Sequence, residues 1–178
     1  MSIANRLLPL ALLLPVLSGC GPEKNVFAPA CPTPALVREL ADLARYRPGA
    51  TGRDLTDLVV QARIAGIAGS CEDGDRKGTV SARVTVSLEA VRGPALTGKT
   101  VQLPLFVAVT EGDSVLDKNL YSAVVEFTGN IDRVGVTSQA INFVLPVTAT
   151  KSAAAYSIVA GFQIAPEEAA ANRLQGKR

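Results

Sequence analysis

"TVSARVTVSLEAV", residues 79–91, is the stretch on which the fold turns. Val80, Ala82, Val84, Val86, Leu88 and Ala90 fall on one side of an extended chain, with Thr79, Ser81, Arg83, Thr85, Ser87 and Glu89 on the other. Successive side chains leave an extended backbone in opposite directions, so a period of two over about a dozen residues specifies a strand with one buried face. On a helix the same apolar set would be scattered around the whole circumference.

The alternation recurs on both sides of this strand. Upstream, Leu58, Val60, Ala62 and Ile64 form an inward set. Downstream come Val101, Leu103, Leu105, Val107 and Val109, then Tyr121, Ala123, Val125 and Phe127. Ile141, Phe143, Leu145 and Val147 follow, and Tyr156, Ile158, Ala160, Phe162 and Ile164 close the series. Turn clusters separate these segments at 69–78, Arg92-Gly93-Pro94, Glu111-Gly112-Asp113, Gly129-Asn130 and around Lys151. Six amphipathic strands joined by turns, without intervening helices, predict an all-β fold: an antiparallel β-sandwich over residues 35–165, immunoglobulin- or fibronectin-III-like in architecture. Pro104 and Pro146 lack an amide donor, so their strands are expected to lie at an edge or carry a bulge there. A transmembrane barrel needs at least about eight strands and aromatic girdles, and a chain with five Phe, three Tyr and no Trp does not supply them.

The flanks read differently. Residues 20–34 are proline-rich and poor in large apolar groups, as in an extended tether. In residues 35–47, Leu36, Leu40 and Leu43 have helical spacing and Pro48-Gly49 ends the run, which predicts a short helix; a leading strand followed by a bend fits as well. Pro166-Glu167-Glu168 opens a second helical stretch over 166–178, with acids at its positive end and Arg173, Lys177 and Arg178 at its negative end.

Composition narrows function. Histidine is absent, which removes imidazole metal ligands and histidine-activated nucleophiles. A formal net charge of +2 with both signs interspersed gives no basic patch, so nucleic acid is not expected as a partner. No cofactor motif stands out.

Three local features invite chemistry. "CEDGDRKG", residues 71–78, groups Glu72, Asp73 and Asp75, yet Arg76 and Lys77 arrive where calcium needs further oxygens, so a solvated hairpin loop is the better reading. Lys151-Ser152 resembles an acyl-transfer pair but sits at a polar turn, where a lysine is not desolvated. "LPLFVAVT", residues 103–110, is apolar on both faces, so Pro104, Phe106 and Ala108 either lie beneath another element or form a partner-binding patch. None of these makes a catalytic or metal site.

The N-terminus supplies context. Arg6 and an apolar run of about 11 residues from Leu7 to Leu17 have the proportions of an export signal and are too short to span a bilayer. Leu17-Ser18-Gly19-Cys20 then resembles the lipobox of bacterial prolipoproteins: a branched apolar residue, two small ones and the cysteine. The resemblance implies a signal peptide at 1–19, a diacylglycerol thioether on Cys20 and N-acylation of the new terminus. Membrane lipid is thus the first expected partner, since two or three acyl chains anchor stably where one does not. Gly21 stands where enteric inner-membrane lipoproteins carry Asp, so by analogy the outer membrane, periplasmic face, is expected. In that oxidising compartment Cys31 and Cys71 are expected to pair.

"RPGATGRDLTDL" and "GFQIAPEEAAANR" are similar to segments of uncharacterised alphaproteobacterial lipoproteins, a resemblance that implies no activity. The functional expectation is a non-catalytic interaction or structural module facing an unidentified envelope protein. The alternative is a small-ligand carrier or periplasmic enzyme whose site the sequence does not display.

Overall fold

Alternation is realised strand by strand in the computed structural model, which describes residues 30–50 and 52–175. The expected signal peptide, the lipobox cysteine Cys20 and the first ten residues of the expected tether lie outside the described residues. Nine strands occur: β1 (Thr33–Leu36), β2 (Asp42–Tyr46), β3 (Leu58–Asp73), β4 (Thr79–Arg92), β5 (Thr100–Glu111), β6 (Ser114–Glu126), β7 (Arg133–Thr137), β8 (Ile141–Pro146) and β9 (Ser157–Phe162), followed by a helix α1 (Pro166–Gln175). One sheet has the order β1-β9-β5-β6, and the other β2-β3-β4 with both β7 and β8 against β4. All pairings are antiparallel except β1 with β9. The fold is an all-β sandwich with one short C-terminal helix.

The inward sets of the sequence become the core. Val60, Val84, Val86, Ala90, Leu103, Val107, Val125, Phe127, Ile158, Ala160 and Phe162 are fully buried, and the two sheets enclose them as one cluster. Tyr156 is buried with them, and its hydroxyl donates to the Pro146 carbonyl at 2.7 Å, which satisfies the phenol without water. The six expected strands correspond to β3, β4, β5, β6, β8 and β9.

Residues 35–47 correct the helical expectation. The stretch is β1, a 3-10 turn at Arg38–Leu40, and β2. Its helical spacing does not define one buried stripe: Leu36 is exposed and Leu43 buried, because the chain leaves one sheet beside β9 and crosses to the other beside β3. Thr33 and Pro34, at the end of the expected tether, are paired to Ser157 and Ile158.

A bulge in β3 between Ile64 and Gly66 shifts the phase of that long strand. Before it the even-numbered residues Val60, Ala62 and Ile64 face the core; after it Ile67 and Cys71 pack there instead. Cys71 is thereby aimed inward and forms the expected disulfide with Cys31, their Cα atoms 5.9 Å apart. This bond ties the residues just ahead of β1 to the far end of β3, joining the two sheets along one flank.

The two prolines differ in setting. Pro146 ends β8, which pairs only with β4 and is an edge. Pro104 lies in β5, a strand flanked on both sides, but the β5–β9 register begins one residue later at Leu105 with Phe162. The Pro104 carbonyl accepts from Gln163 N at 2.9 Å, so its missing donor falls where β9 has already ended.

Candidate functional site

Both faces of β5 are buried around Phe106, which is 6% exposed, and Ala108, which is 3% exposed. The Phe106 ring lies across Gly161 of β9, where a Cβ would come within 2.6 Å of it, with Leu40 from the 3-10 turn alongside. Lys118 Nζ sits 4.5 Å from the ring centroid on the other side. Phe106 and Ala108 are therefore covered by the chain itself, the first of the two options that the apolar stretch left open, while Pro104 is half-buried.

The other sequence candidates lie on the surface, Glu72 and Asp73 at the end of β3. Glu72, Asp73 and Asp75 are exposed on the β3–β4 hairpin, which is closed by Gly74 N donating to the Thr79 carbonyl at 2.9 Å. Among the described residues no group of three or more potential metal ligands comes together. Lys151 donates to Glu111 Oε2 at 2.7 Å and lies over the Tyr156 ring. The hydrogen bond to Glu111 raises its pKa above the ordinary lysine value, the opposite of what a lysine base beside Ser152 requires.

Sheet edges present unpaired backbone groups that other chains can engage. β1 has four residues. The edge of β2 is covered by α1: Ala44 N donates to Glu168 Oε1 at 2.8 Å, and Asn172 Nδ2 donates to the carbonyls of Asp42 and Glu39 at 2.9 and 3.0 Å. β7 and β8 share one lane beside β4 and are interrupted at Ser138, whose side chain accepts from Val86 N at 3.0 Å where a strand carbonyl would otherwise stand. Each of these edges is short, covered or broken.

β6 is none of these. It has thirteen residues, pairs among the described residues with β5 alone, and carries Leu120 at 66% and Val124 at 58% exposure on its outward face, with Val115 and Leu116 also exposed. Its inner face is half-polar. Asp117 and Asn119 stand at inward positions and are exposed, whereas Tyr121 and Ala123 are half-buried and Val125 is buried. Between this half of β6 and the interrupted β7–β8 lane opens an apolar cleft of about 450 Å³, lined among others by Val86, Leu105, Val107, Tyr121, Val136 and Ile141. Burial in this setting, with Asp117 nearby, pushes the Tyr121 hydroxyl above its ordinary pKa.

A second depression, about 400 Å³, lies on the outer face of β3 and β4, where Glu89 is bridged by Arg63 at 2.9 Å and Arg133 at 3.4 Å. Glu89 is thus already paired with two exposed arginines, and Asp42 also lines the depression. No family model matches the chain, and neither curated proteins nor solved structures yield a match. The open flank at β6 is thus defined by its own geometry. Sequence reasoning placed Tyr121 and Ala123 on a strand but did not single out Leu120 and Val124, whose signal was an apolar residue every fourth position on the face expected to be solvated.

Proposed function

We propose that this chain is a lipid-anchored bacterial envelope lipoprotein whose sandwich is a non-catalytic interaction module, with β6 and the adjoining cleft as its contact surface. The observation that carries this reading is the contrast among edges: α1, short strands and a broken lane protect the others, while the apolar half of β6 stays free. A free edge offers main-chain hydrogen bonds for affinity and alternate side-chain positions for specificity. The lipobox resemblance at Leu17–Cys20 supports lipid attachment, Gly21 in place of Asp favours the outer membrane, periplasmic face, by analogy, and a Cys31–Cys71 disulfide agrees with an oxidising compartment. Tethering there raises the local concentration of the module for partners in the same membrane.

The test is mild cross-linking in native cells followed by affinity capture of the full-length protein beside a Cys20→Ser version. Recovery of a specific protein with the anchored form alone supports the reading. A second reading, a carrier of a small apolar ligand, is favoured by the volume and lining of the cleft, which fall within the range of ligand sites. It predicts that a lipophilic small molecule copurifies in stoichiometric amount and that no protein is captured.

A further inference from the structure

We propose that β6 is a self-association edge: two copies pair antiparallel along it about a two-fold axis at Ser122. This rests on the reading of β6 as the contact surface and names what docks there.

The backbone determines which residues are available. Phe127 N donates to the Lys99 carbonyl at 2.7 Å, so Phe127 is hydrogen-bonded toward β5. By alternation, Val125, Ala123 and Tyr121 are as well, while Glu126, Val124, Ser122, Leu120 and Lys118 direct their amides and carbonyls away from β5. Pro104 confirms the phase, since it is paired with Ser122 and has no amide to give. At the other end a register shift makes Leu116 the extra residue, because Val109 pairs with Asp117 and Thr110 with Val115. The regular free edge therefore runs from Lys118 to Glu126, and Ser122 is its midpoint.

Pairing this edge with a second copy places Lys118 opposite Glu126 of that copy, Leu120 opposite its Val124, and Ser122 opposite itself. Each of these is a hydrogen-bonded pair, giving about ten backbone bonds over the dimer. Leu120 and Val124, both exposed in the single chain, then cover each other on one face, and Tyr121 meets Ala123 on the face toward the cleft. The charged residues are matched twice, once at each end. Lys118 Nζ donates to Gln163 Oε1 at 3.0 Å and keeps two further N–H groups for a carboxylate. A one-pair slip in one direction sets Lys118 against Val124 and Leu120 against Ser122; the other sets Leu120 against Glu126. The bulge at Leu116 and the inward Asp117 obstruct extension past Lys118, as such devices do on protected edges. An isologous contact of this kind closes after two copies.

The experiment is sedimentation equilibrium of the full-length chain in a density-matched detergent, with Lys118→Glu and Glu126→Lys as variants. Both positions are exposed, so all three proteins should stay folded, as far-UV circular dichroism reports. The proposal expects a dimer that each reversal alone weakens about tenfold, and that an equimolar mixture of the two variants restores, since opposite charges then face each other again. A Ser122→Cys variant in native membranes should join to its own kind through a short bis-maleimide. A chain monomeric to about 100 μM, or a dimer indifferent to both reversals, overturns the proposal. Capture of a different envelope protein at Cys-substituted position 122 also overturns it, while leaving the interaction reading intact.

Discussion

Replacing both Cys31 and Cys71 by Ala should lower the stability of the sandwich by about 4 kcal/mol. The two residues are 40 apart in sequence, and closing a loop of that length lowers the entropy of the unfolded chain by an amount equivalent to about 4 kcal/mol at 25 °C. Cys31 is 5% exposed, so the thiols also leave apolar contacts behind. Opposing this, β1 is only four residues long and can fray without the rest of the sheet opening, so part of the effect is expected as local loosening. The assay is urea unfolding of the full chain with Cys20→Ser in both arms, so that no third thiol confuses the comparison. With a slope of about 2 kcal/mol per molar urea, the midpoint should fall by about 2 M. A fall below about 0.5 M at unchanged slope would refute the argument, because the cross-link would then be restraining a chain already restrained by other means.

Other perturbations probe separate parts of the fold. Tyr156→Phe deletes the hydroxyl that donates to the Pro146 carbonyl inside the core, and should destabilise by about 1–2 kcal/mol; an unchanged melting curve would mean that water reaches that carbonyl. Gly161→Ala drives a methyl into the Phe106 ring and should cost about 1–3 kcal/mol, much of it recovered in a Phe106→Leu background; equal losses in both backgrounds would show that the ring is not the obstacle. Tyr121 should titrate above its ordinary 10.0, as followed by tyrosinate absorbance against a Tyr121→Phe control. Because its folded pKa is raised, chiefly by burial, its contribution to stability is complete below the unfolded value and is lost as pH rises through the folded one. A midpoint at or below 10 would place the ring in open solvent.

Strand phase was legible because a buried face demands every second residue, and that demand is visible wherever a strand exceeds about five residues. β4, β5 and β8 follow it without interruption. β3 does not, and its bulge cannot be read from Ala65-Gly66 alone; only the pairing with β4 shows that the phase changes and that Cys71 turns inward. β1 and β7 are too short to establish a period, and β2 sat inside a leucine spacing that mimicked a helix. The N-terminal half of β6 escaped notice for a physical reason: it extends where no facing core requires apolar side chains, so Asp117 and Asn119 occupy inward positions at no desolvation cost. The covering of β2 by Glu168 and Asn172 was not legible either, since it joins residues more than a hundred positions apart in sequence. What sets β6 apart is thus a contrast among edges, and edges exist only after the sheets have been assembled.

The placement of Cys31 also governs how the domain answers to force. Any load arriving along the chain from the N-terminal side reaches the sandwich at this residue, ahead of β1. Four residues of parallel pairing would yield by unzipping one rung at a time under such a pull. The covalent link diverts the load to Cys71 and so into β3, sixteen residues long and hydrogen-bonded to β2 and β4, where many bonds share it in shear. Under a pull of this kind, reducing the disulfide should lower the rupture force more sharply than the equilibrium stability.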